Sequence, residues 1–469
     1  MKKAILSLLA LSLTAAQAKV TLPNIFASGM VMQQQTTANM WGEAKANSTV
    51  KITTSWNKKT QQVKADANGK WKTTLETPEA GGPYTITLND GEKTELNNIL
   101  IGELWLCSGQ SNMEMPMKGF KNQPVDGAVE DILHSTDSQM RLFTAKRVSR
   151  FAPIDTTYGS WKEACPESVR NFSATAYHFG RELRQILNVP VGLIVVAWGG
   201  SSCEAWMNKD WLKAFPQIEL PKSQATIKSP NRTATVLYNG MLNPLIGVTM
   251  RGVIWYQGEE NVSRSSYYAD LFSRMIKGWR EDWKQGDFPF YFCQIAPYDY
   301  SIIHWEQYNS AFLREQQQKA ELMNNNVGMA VLMDTGLKYG IHPRAKQLAG
   351  MRLALLALDK TYGVKGITSQ SPYFKEVKFQ NDTAVVTFER APMWVYGKNG
   401  LKSDLVEIAG EDSVFHPAET WIIHSKLYAK SADVKKPVAI RYAFKDWADG
   451  DLFGDGLPIG SFRSDNWPK

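Results

Sequence analysis

The sequence has few of the residues that bind metals or build disulfide frameworks. Its 469 residues include only four cysteines and six histidines, and the cysteines lie far apart with no C-x-x-C pair. Zinc ribbons and thioredoxin-like redox motifs are therefore unsupported, and we expect neither a metal nor a cofactor. Three of the cysteines stand in or beside apolar strand-like runs, which predicts buried free thiols at least as well as disulfides: Cys107, Cys203 and Cys293.

Long apolar runs and clusters of basic residues are also scarce. Beyond the first twenty residues no stretch is apolar enough to span a bilayer, so we expect no membrane insertion. The formal net charge is +7, but the chain lacks the lysine and arginine clusters typical of nucleic-acid-binding proteins. With 43% hydrophobic and 21% charged residues, the composition is that of a globular protein with a substantial core.

The one long apolar run has the form of a secretory signal. Lys2 and Lys3 precede an apolar stretch over residues 4–15, and a small-x-small cleavage pattern ends at Ala18. We therefore predict a signal peptide over residues 1–18 and a periplasmic or secreted location. Because Lys19 rather than cysteine follows, no lipid anchor is indicated.

Hydrophobic patterning divides the rest of the chain into three regions. Residues 19–98 alternate polar and apolar positions between glycine-containing turns, which predicts a small N-terminal β-sandwich. Residues 99–370 carry continuous apolar strands that alternate with helical segments, which predicts an α/β fold with a parallel sheet covered on both faces. Residues 371–469 return to short alternating strands, and we expect their tail, residues 454–469, to be a docked loop.

The α/β region contains five predicted strands and four predicted helices. The strands are 99–106, 191–197, 251–256, 290–295 and 327–333, and the helices are 174–187, 267–283, 311–323 and 344–358. In such folds the chemistry collects beyond the carboxyl ends of the strands. The residues that follow each strand are therefore the candidates for a functional site.

A serine stands in a tight turn after the first of these strands. In Gly109-Gln110-Ser111, the turn can expose the hydroxyl of Ser111 and direct backbone N–H groups at the same point, which is what acyl transfer needs. A lone G-x-S more often builds an ordinary turn. Ser108 is the rival nucleophile, but it lies on the strand side of Gly109.

The next two strands end in groups that suit an oxyanion hole. Gly199 and Gly200 follow the second strand, where glycines either let the backbone approach a ligand or form a simple turn. Gln257 follows the third strand together with Gly258 and Glu259. An amide side chain there can complete an oxyanion hole.

His342 is the histidine best placed for proton transfer. It follows Asp334 by eight residues, lies between Ile341 and Pro343, and precedes a helical segment. A histidine there could take the proton from Ser111 and later return it. His304, in the loop after the fourth strand, is the alternative.

In their order along the chain, these motifs resemble the sialate O-acetylesterase group of SGNH (GDSL-like) hydrolases. The resemblance rests on Gly109-Gln110-Ser111-Asn112-Met113, Trp198-Gly199-Gly200, Tyr256-Gln257-Gly258-Glu259 and Ile341-His342-Pro343, with further similarity at 22–33 and 456–467. It therefore covers nearly the whole chain after residue 18. It implies an SGNH-type three-layer α/β/α core flanked by small N-terminal and C-terminal β regions.

The resemblance also implies a metal-independent serine esterase that removes O-acetyl groups from a sugar or glycan, with O-acetylated sialic acids as the expected substrates. Ser111 would be the nucleophile and His342 its general base and acid. The backbone N–H of Ser111, a backbone N–H at Gly200 and the side chain of Gln257 would bind the oxyanion.

The third member of a catalytic triad is left open. The family often has an acidic residue just before the Ile-His-Pro unit, whereas this chain has Tyr339 and Gly340 there. Asp334, Glu259 or a backbone carbonyl could orient the His342 ring, or the site could work as a dyad.

Two other functions compete with sialate deacetylation. The same core could serve an acetylesterase of plant polysaccharides such as xylan, xyloglucan or pectin, and an arginine facing Ser111 would favour the sialate alternative. A carbohydrate-binding protein without catalysis is the second competitor. The chain is rich in tryptophan, with 16 residues, and we expect Trp198 and Trp206 to stack on sugar, and Trp105 and Trp255 to lie in the core.

Overall fold

The computed structural model describes residues 19–302 and 309–467. The predicted signal peptide and His304 lie outside the described residues. Across the two described ranges, no helix combines the length and the apolar character needed to cross a membrane.

The N-terminal region consists of short strands in two layers. They are β1 (Val31–Gln33), β2 (Thr36–Glu43), β3 (Thr49–Thr54), β4 (Thr60–Lys64), β5 (Lys70–Thr77), β6 (Gly81–Asn89) and β7 (Lys93–Gly109). β3 pairs antiparallel with β4 and β6, while β2 and β5 form a separate antiparallel ribbon. Val50 and Ile52 of β3 share one buried cluster with Met40 of β2 and Trp71 of β5, so alternate residues of both layers build a common core.

The central region alternates strands and helices. Its further strands are β8 (Asp137–Thr144), β9 (Trp161–Ala164), β10 (Val191–Ala197), β11 (Gly252–Tyr256), β12 (Phe290–Cys293) and β13 (Val327–Ala330). Its helices are α1 (Ser111–Glu114), α2 (Ala128–Leu133), α3 (Pro166–Arg170), α4 (Ala174–Leu187), α5 (Tyr268–Trp283), α6 (Ala311–Met323) and α7 (Lys346–Lys360). Short 3-10 segments lie at Cys203–Trp206, Trp211–Ala214, Gln224–Thr226, Asn243–Leu245, Glu259–Tyr267 and Tyr300–Ile302, and a π-helical turn at Tyr238–Leu242.

The central sheet has the order β13-β12-β11-β7-β10-β8-β9. The first six strands run parallel, and β9 pairs antiparallel with β8 at the edge. The predicted α/β fold is confirmed, although the sheet is mixed because β9 and the N-terminal strands extend it.

Helices cover both faces of this sheet. Trp105 and Cys107 of β7 share a buried cluster with α4 and α7, whereas their neighbours Leu104 and Leu106 share the other cluster with α5 and α6. Successive strand side chains point to opposite faces, so this alternation produces three layers. The three-layer α/β/α core implied by the resemblance is therefore present.

The β7 strand runs without interruption from the N-terminal region to the central sheet. Its first part pairs with β6, and from Glu103 to Gly109 it pairs with β10. Asn98 adopts a positive φ of 56° within it, and this irregular polar stretch is why the sequence predicted only residues 99–106. The predicted boundary after residue 98 lies inside this strand.

The C-terminal region contains eleven short strands in the residues the structure describes. They are β14 (Tyr373–Gln380), β15 (Thr383–Glu389), β16 (Val395–Gly397), β17 (Val406–Ala409), β18 (Phe415–Pro417), β19 (Glu419–Ile423), β20 (Lys426–Lys430), β21 (Ala439–Tyr442), β22 (Leu452–Gly454), β23 (Leu457–Pro458) and β24 (Phe462–Arg463). They form the sheets β14-β15-β20-β19, β16-β22-β23 and β18-β17-β21-β24. The flanking β regions are thus both present.

The tail is docked, but describing it as a loop was wrong in part. β23 pairs with β22, and β24 pairs with β21, so two short segments of the tail complete sheets. Arg463 also forms an ion pair with Glu315 of α6 at 3.0 Å. These contacts attach the tail to the central region.

All four cysteines are free thiols. Cys107, Cys203 and Cys293 are buried and Cys165 is half-buried. The prediction of buried free thiols is confirmed for the three cysteines that stand near apolar strands.

Candidate active site

The nucleophile turn packs tightly against the end of β11. Gly109 has φ 140°, and a Cβ at this position would lie 2.2 Å from the carbonyl oxygen of Tyr256. Only glycine fits this conformation and this close approach. The Gln110 N–H then donates to the same carbonyl at 2.9 Å, and half-buried Ser111 begins α1.

Ser108 points away from this turn. It is completely buried, and its hydroxyl donates to the Val196 carbonyl at 2.6 Å. Its side chain therefore contributes to the junction of β7 and β10, which leaves Ser111 as the accessible serine of the two.

The glycine turn after β10 lies directly beside Ser111. A Cβ on Gly199 would stand 3.4 Å from the Cβ of Ser111. The Gly199 N–H donates to Glu114 Oε2 at 2.7 Å. The Asn231 amide donates to the carbonyls of Gly199 and Gly200 at 2.8 and 3.1 Å. The turn is thus held from two sides against the serine.

Each of the two turns carries a backbone donor. In the described part of the chain, the N–H groups of Ser111 and Gly200 have no hydrogen-bond acceptor. Ser111 opens a helix, where the first N–H groups lack intrahelical partners. Preorganised free donors of this kind stabilise the negative oxygen of an acyl-transfer intermediate.

Gln257 occupies a different place from the one predicted. Its side chain is fully buried, and its Nε2 donates to the Ser201 carbonyl at 3.0 Å and to Asn261 Oδ1 at 2.7 Å. Its Oε1 accepts from the Tyr268 hydroxyl at 2.8 Å. Because an amide carries two N–H donors, both are used inside the protein, and Gln257 supports the glycine turn from behind.

His342 lies half-buried in the loop before α7. Its Nδ1–H donates to Gln123 Oε1 in a short hydrogen bond, and its ring packs edge-on against Phe120 with centroids 5.2 Å apart. This leaves Nε2 as the unprotonated nitrogen. Burial, followed by the nearby charge of Lys346, lowers the pKa of His342 to about 4, so the ring is neutral at neutral pH, as a general base must be.

Asn112 brings the serine turn and the histidine loop together. Its Nδ2 donates to the carbonyl of Ile341 at 3.2 Å. Asn112 directly follows Ser111, and Ile341 directly precedes His342. Among the residues that the structure describes, no hydrogen bond joins the Ser111 hydroxyl to His342, and such catalytic bonds are often long until substrate binds.

The carboxylates weighed as triad members have other partners. Asp334 receives a bidentate pair of hydrogen bonds from Arg352 at 2.7 and 2.6 Å, and Glu259 accepts from Asn112 at 2.5 Å. The group at His342 Nδ1 is the exposed side chain of Gln123, which sequence reasoning did not consider. No sequence signal marks it, since it lies 219 residues away in a polar loop.

The aromatic predictions divide. Trp105 and Trp255 are fully buried in the core, as expected. Trp206 is also fully buried, and its indole N–H donates to the Ser201 hydroxyl at 2.9 Å, so the prediction that it stacks on sugar was wrong. Trp198 is half-buried, and the Arg147 guanidinium lies 5.7 Å from its ring centroid.

A cavity of about 640 Å³ lies near the glycine turn, although Gly199, Gly200, Ser111 and His342 are not among its lining residues. Arg232, the neighbour of Asn231 in the chain, is one of the lining residues. Arg232 pairs with Glu260 at 3.0 Å. The charged lining residues of the cavity are four cations and two anions: Lys222, Lys228, Arg232 and Arg264, with Glu204 and Glu219. Arg264 pairs with Glu204 at 2.9 Å, so the excess of positive charge in this lining rests on Lys222 and Lys228.

A half-buried serine at the carboxyl edge of a parallel sheet, with backbone N–H groups that lack acceptors and a neutral histidine in a linked loop, is an arrangement that suits ester hydrolysis. Residues 101–354 match the family described as "Carbohydrate esterase, sialic acid-specific acetylesterase". The chain belongs to this family. It is a carboxylic ester hydrolase that removes O-acetyl groups from carbohydrates.

Similar proteins agree with this assignment. The chain is 29% identical to sialate O-acetylesterase of Rattus norvegicus, over 89% of this chain and 88% of the relative. It is 30% identical to the Homo sapiens enzyme of the same name, over 74% and 72% of the two chains. The crystal structure of XAC1771, a carbohydrate acetylesterase from Xanthomonas citri, superposes with a TM-score of 0.87 at 33% identity, over 96% of this chain and all of that chain.

Proposed function

We propose that this carbohydrate O-deacetylase acts on O-acetylated sialic acids, with Ser111 as the nucleophile and His342 as the general base and acid. The observation that carries the residue roles is the hydrogen bond from Asn112 to the Ile341 carbonyl. It links the residue after Ser111 to the residue before His342, two segments that are 229 positions apart.

In the first half of the reaction, His342 Nε2 takes the proton from the Ser111 hydroxyl as its oxygen attacks the acetyl carbonyl. The resulting oxyanion lies against the N–H groups of Ser111 and Gly200. Collapse of this intermediate breaks the bond to the sugar oxygen, which receives the proton from His342. The sugar leaves and the acetyl group remains on Ser111.

In the second half, His342 removes a proton from water, which attacks the acetyl-enzyme. The oxyanion forms again at the same two N–H groups. The bond to Ser111 then breaks, His342 returns the proton to the serine oxygen, and acetate leaves. Gln123 keeps Nδ1 protonated throughout and so fixes Nε2 as the reacting nitrogen.

The charge of the cavity beside the glycine turn supports an acidic sugar as the substrate. Sialic acids carry a carboxylate, and the cavity presents more cations than anions. We assign the sugar portion to this cavity and the carboxylate to Arg232. The experiment below distinguishes this proposal from two alternatives. They are a substrate of acetylated xylan, xyloglucan or pectin, and sugar binding without turnover.

Acetate release from O-acetylated sialic acid and from acetylated xylan, measured side by side, tests the proposal. Ser111→Ala should abolish release from both the preferred sugar and 4-nitrophenyl acetate. Ser108→Ala is the matched control and should keep activity. Full activity of Ser111→Ala contradicts the nucleophile, and faster release from xylan contradicts the substrate.

A second variant tests the carboxylate contact. Arg232→Gln should raise KM for O-acetylated sialic acid about tenfold, because a hydrogen bond to a charged group contributes about 1.5 kcal/mol or more. KM for 4-nitrophenyl acetate, which has no carboxylate, should not change. Equal changes for both substrates would contradict the assignment of the cavity.

Export belongs to the same proposal. The charged start, apolar run and small-x-small pattern of residues 1–18 support a cleaved signal peptide and a periplasmic or secreted enzyme. Mass spectrometry of the protein from its native cells should find Lys19 at the mature N-terminus. A mature chain that retains residues 1–18 would contradict export by this signal.

A further inference from the structure

Behind Ser111 lies a buried cluster of three polar residues, Asn112, Glu259 and Lys346, which we call the Asn112 clamp. Asn112 Nδ2 donates to Glu259 Oε1 at 2.5 Å and to the Ile341 carbonyl at 3.2 Å. Asn112 Oδ1 accepts a short hydrogen bond from Lys346 Nζ. One amide therefore joins the nucleophile turn to the end of β11, the histidine loop and the start of α7.

The clamp is costly to bury. Asn112 is 0%, Lys346 1% and Glu259 8% exposed. Within the described residues, Glu259 Oε2 has no hydrogen-bond partner, so the network is incomplete. Buried charged groups rarely add net stability, and a network that leaves one of their atoms without a partner adds less. Apolar residues of similar size would serve the fold better, so this arrangement calls for a functional reason.

We infer that Lys346 and Glu259 are positioning residues that act through Asn112 to hold Ser111 and His342 in reactive register. The inference rests on the proposed function, because it takes Ser111 as the nucleophile and His342 as the base. Lys346 fixes the Asn112 oxygen and Glu259 fixes the nitrogen, so the amide cannot rotate. The Asn112 contact with Ile341 then sets the distance between the two reacting side chains.

The ammonium group of Lys346 also acts on His342, four residues earlier in the chain. A nearby positive charge disfavours the imidazolium form, and Lys346 lowers the pKa of His342 in addition to burial. The groups that face Lys346 from the packed elements are Glu259 and Tyr256 at the end of β11 and Cys293 at the end of β12. Burial lowers the pKa of Lys346 to about 7, against the opposing effect of Glu259.

Lys346→Met removes the charge and keeps the length of the side chain. We expect kcat on 4-nitrophenyl acetate to fall about 10- to 100-fold, because small misplacements of reacting groups have effects of this size, while KM changes less than about threefold. The acid limb of the kcat/KM profile should move to higher pH by about one unit, since His342 loses a neighbouring positive charge. Lys338→Met, an exposed lysine in the same loop, is the control and should match the parent enzyme in both readouts.

The double variant Glu259→Gln/Lys346→Met separates positioning from support of the fold. It leaves no charge in the clamp, so it should fold even where Lys346→Met alone leaves Glu259 buried without a cation. If the clamp positions Ser111, the double variant keeps the parent melting temperature and its kcat stays at least about tenfold low. Recovery of kcat together with the melting temperature overturns the inference, as does a Lys346→Met enzyme with unchanged kcat and acid limb.

Ser111→Ala, assayed in parallel, distinguishes failure of the proposed function from failure of the clamp inference. An active Ser111→Ala enzyme overturns the proposed function and the clamp with it. An inactive Ser111→Ala enzyme beside a fully active Lys346→Met enzyme overturns the clamp alone.

Discussion

Two buried glutamates stand at opposite ends of the central sheet, and their surroundings differ. Glu103, at the amino-terminal end, is 1% exposed and completely satisfied. Arg251 donates to it twice, at 2.7 and 2.9 Å, and Gln33, Gln34 and Tyr362 donate as well. Although burial opposes this, these donors hold the pKa of Glu103 below its ordinary value.

Glu259, at the carboxyl-terminal end, has one side-chain donor, Asn112, and burial raises its pKa. The same residue type therefore serves the fold at one end and lies beside the reacting groups at the other. A buried carboxylate with a complete set of hydrogen-bond donors is typical of a structural role. A buried carboxylate that lacks donors and has a raised pKa is typical of a functional site. Changes near Glu103 should affect stability, and changes near Ser111 should affect turnover.

His342→Ala should produce the largest effect, at the carboxyl edge. Loss of the base should lower kcat/KM about 10³- to 10⁴-fold, while the melting temperature stays unchanged because the ring is only half-buried. Steady-state kinetics and thermal unfolding check both expectations. His134→Ala, which alters an exposed histidine, is the control; a His342→Ala enzyme within tenfold of the parent would place the base elsewhere.

Glu103→Gln should produce the largest effect at the amino-terminal end. Breaking the pair with Arg251 should cost about 3 kcal/mol of unfolding free energy, measured by urea denaturation, with the activity of the folded enzyme kept. Glu389→Gln alters a carboxylate that is 41% exposed and pairs with Lys375, itself 52% exposed, and it should cost less than about 1 kcal/mol. Equal losses of unfolding free energy in the two variants would contradict the expectation that a fully hydrogen-bonded buried carboxylate stabilises the fold more than an exposed one.

The difference in stability between the parent and Glu103→Gln should depend on pH, because folding lowers the pKa of Glu103. The folded-state pKa of Glu103 lies below its unfolded value, so its stabilisation is present above that unfolded value, about 4.3, and is lost as the pH falls through the folded-state pKa. The stability gap between the parent and Glu103→Gln should therefore narrow below about pH 4. A gap that widens on acidification would contradict the assignment.

Gly200→Ala tests the oxyanion donors. Gly200 has φ 65°, and an added Cβ would lie 3.1 Å from Asn231 Nδ2, so the Asn231 amide that holds the turn must move by a few tenths of an ångström. We expect a loss of about 10²-fold in kcat. Gly363→Ala is the control, because Gly363 has φ 69° with open space around it and the substitution carries the same backbone strain of about 1 kcal/mol. This variant should keep full activity. A loss of activity in it would mean that backbone strain alone explains the effect of Gly200→Ala.

Gln123→Glu should produce the smallest effect. A carboxylate at Nδ1 favours the imidazolium, so the pKa of His342 should rise and the acid limb of kcat/KM should move up by about one pH unit. Above that limb, kcat should change less than about threefold. Asn122→Asp places the charge on the neighbouring exposed residue and should leave the limb in place; a shift of equal size there would mean that contact with Nδ1 is irrelevant.

The sequence predicted those parts of the fold that depend on local pattern. The strand 191–197 and the helices 174–187 and 311–323 match the observed bounds, because continuous apolar runs and helical periodicity are local signals. β8 and β9 were missed, since β8 begins with half-buried Asp137 and exposed Ser138 and Gln139, and β9 is only four residues long. Neither has enough pattern to stand out.

Ser111 and His342 could be proposed from the sequence because each belongs to a motif that follows a predicted strand, and their roles stay predictions. The residues that support them could not be proposed, because their roles arise from pairing across the chain. Lys346 lies 234 positions from Asn112, and in the sequence it is an ordinary lysine at the start of a helix. The resemblance supplied the donor role of Gln257, and only the hydrogen bonds of its amide reveal that both donors are used.

The uninterrupted β7 strand has a consequence for engineering. A chimera that exchanged the N-terminal region at residue 98 would cut a paired strand whose far end leads directly into the nucleophile turn. Any swing of one part relative to the other would have to bend β7 between its pairing with β6 and its pairing with β10. We therefore expect that the N-terminal region and the turn that carries Ser111 have to be transplanted or truncated together.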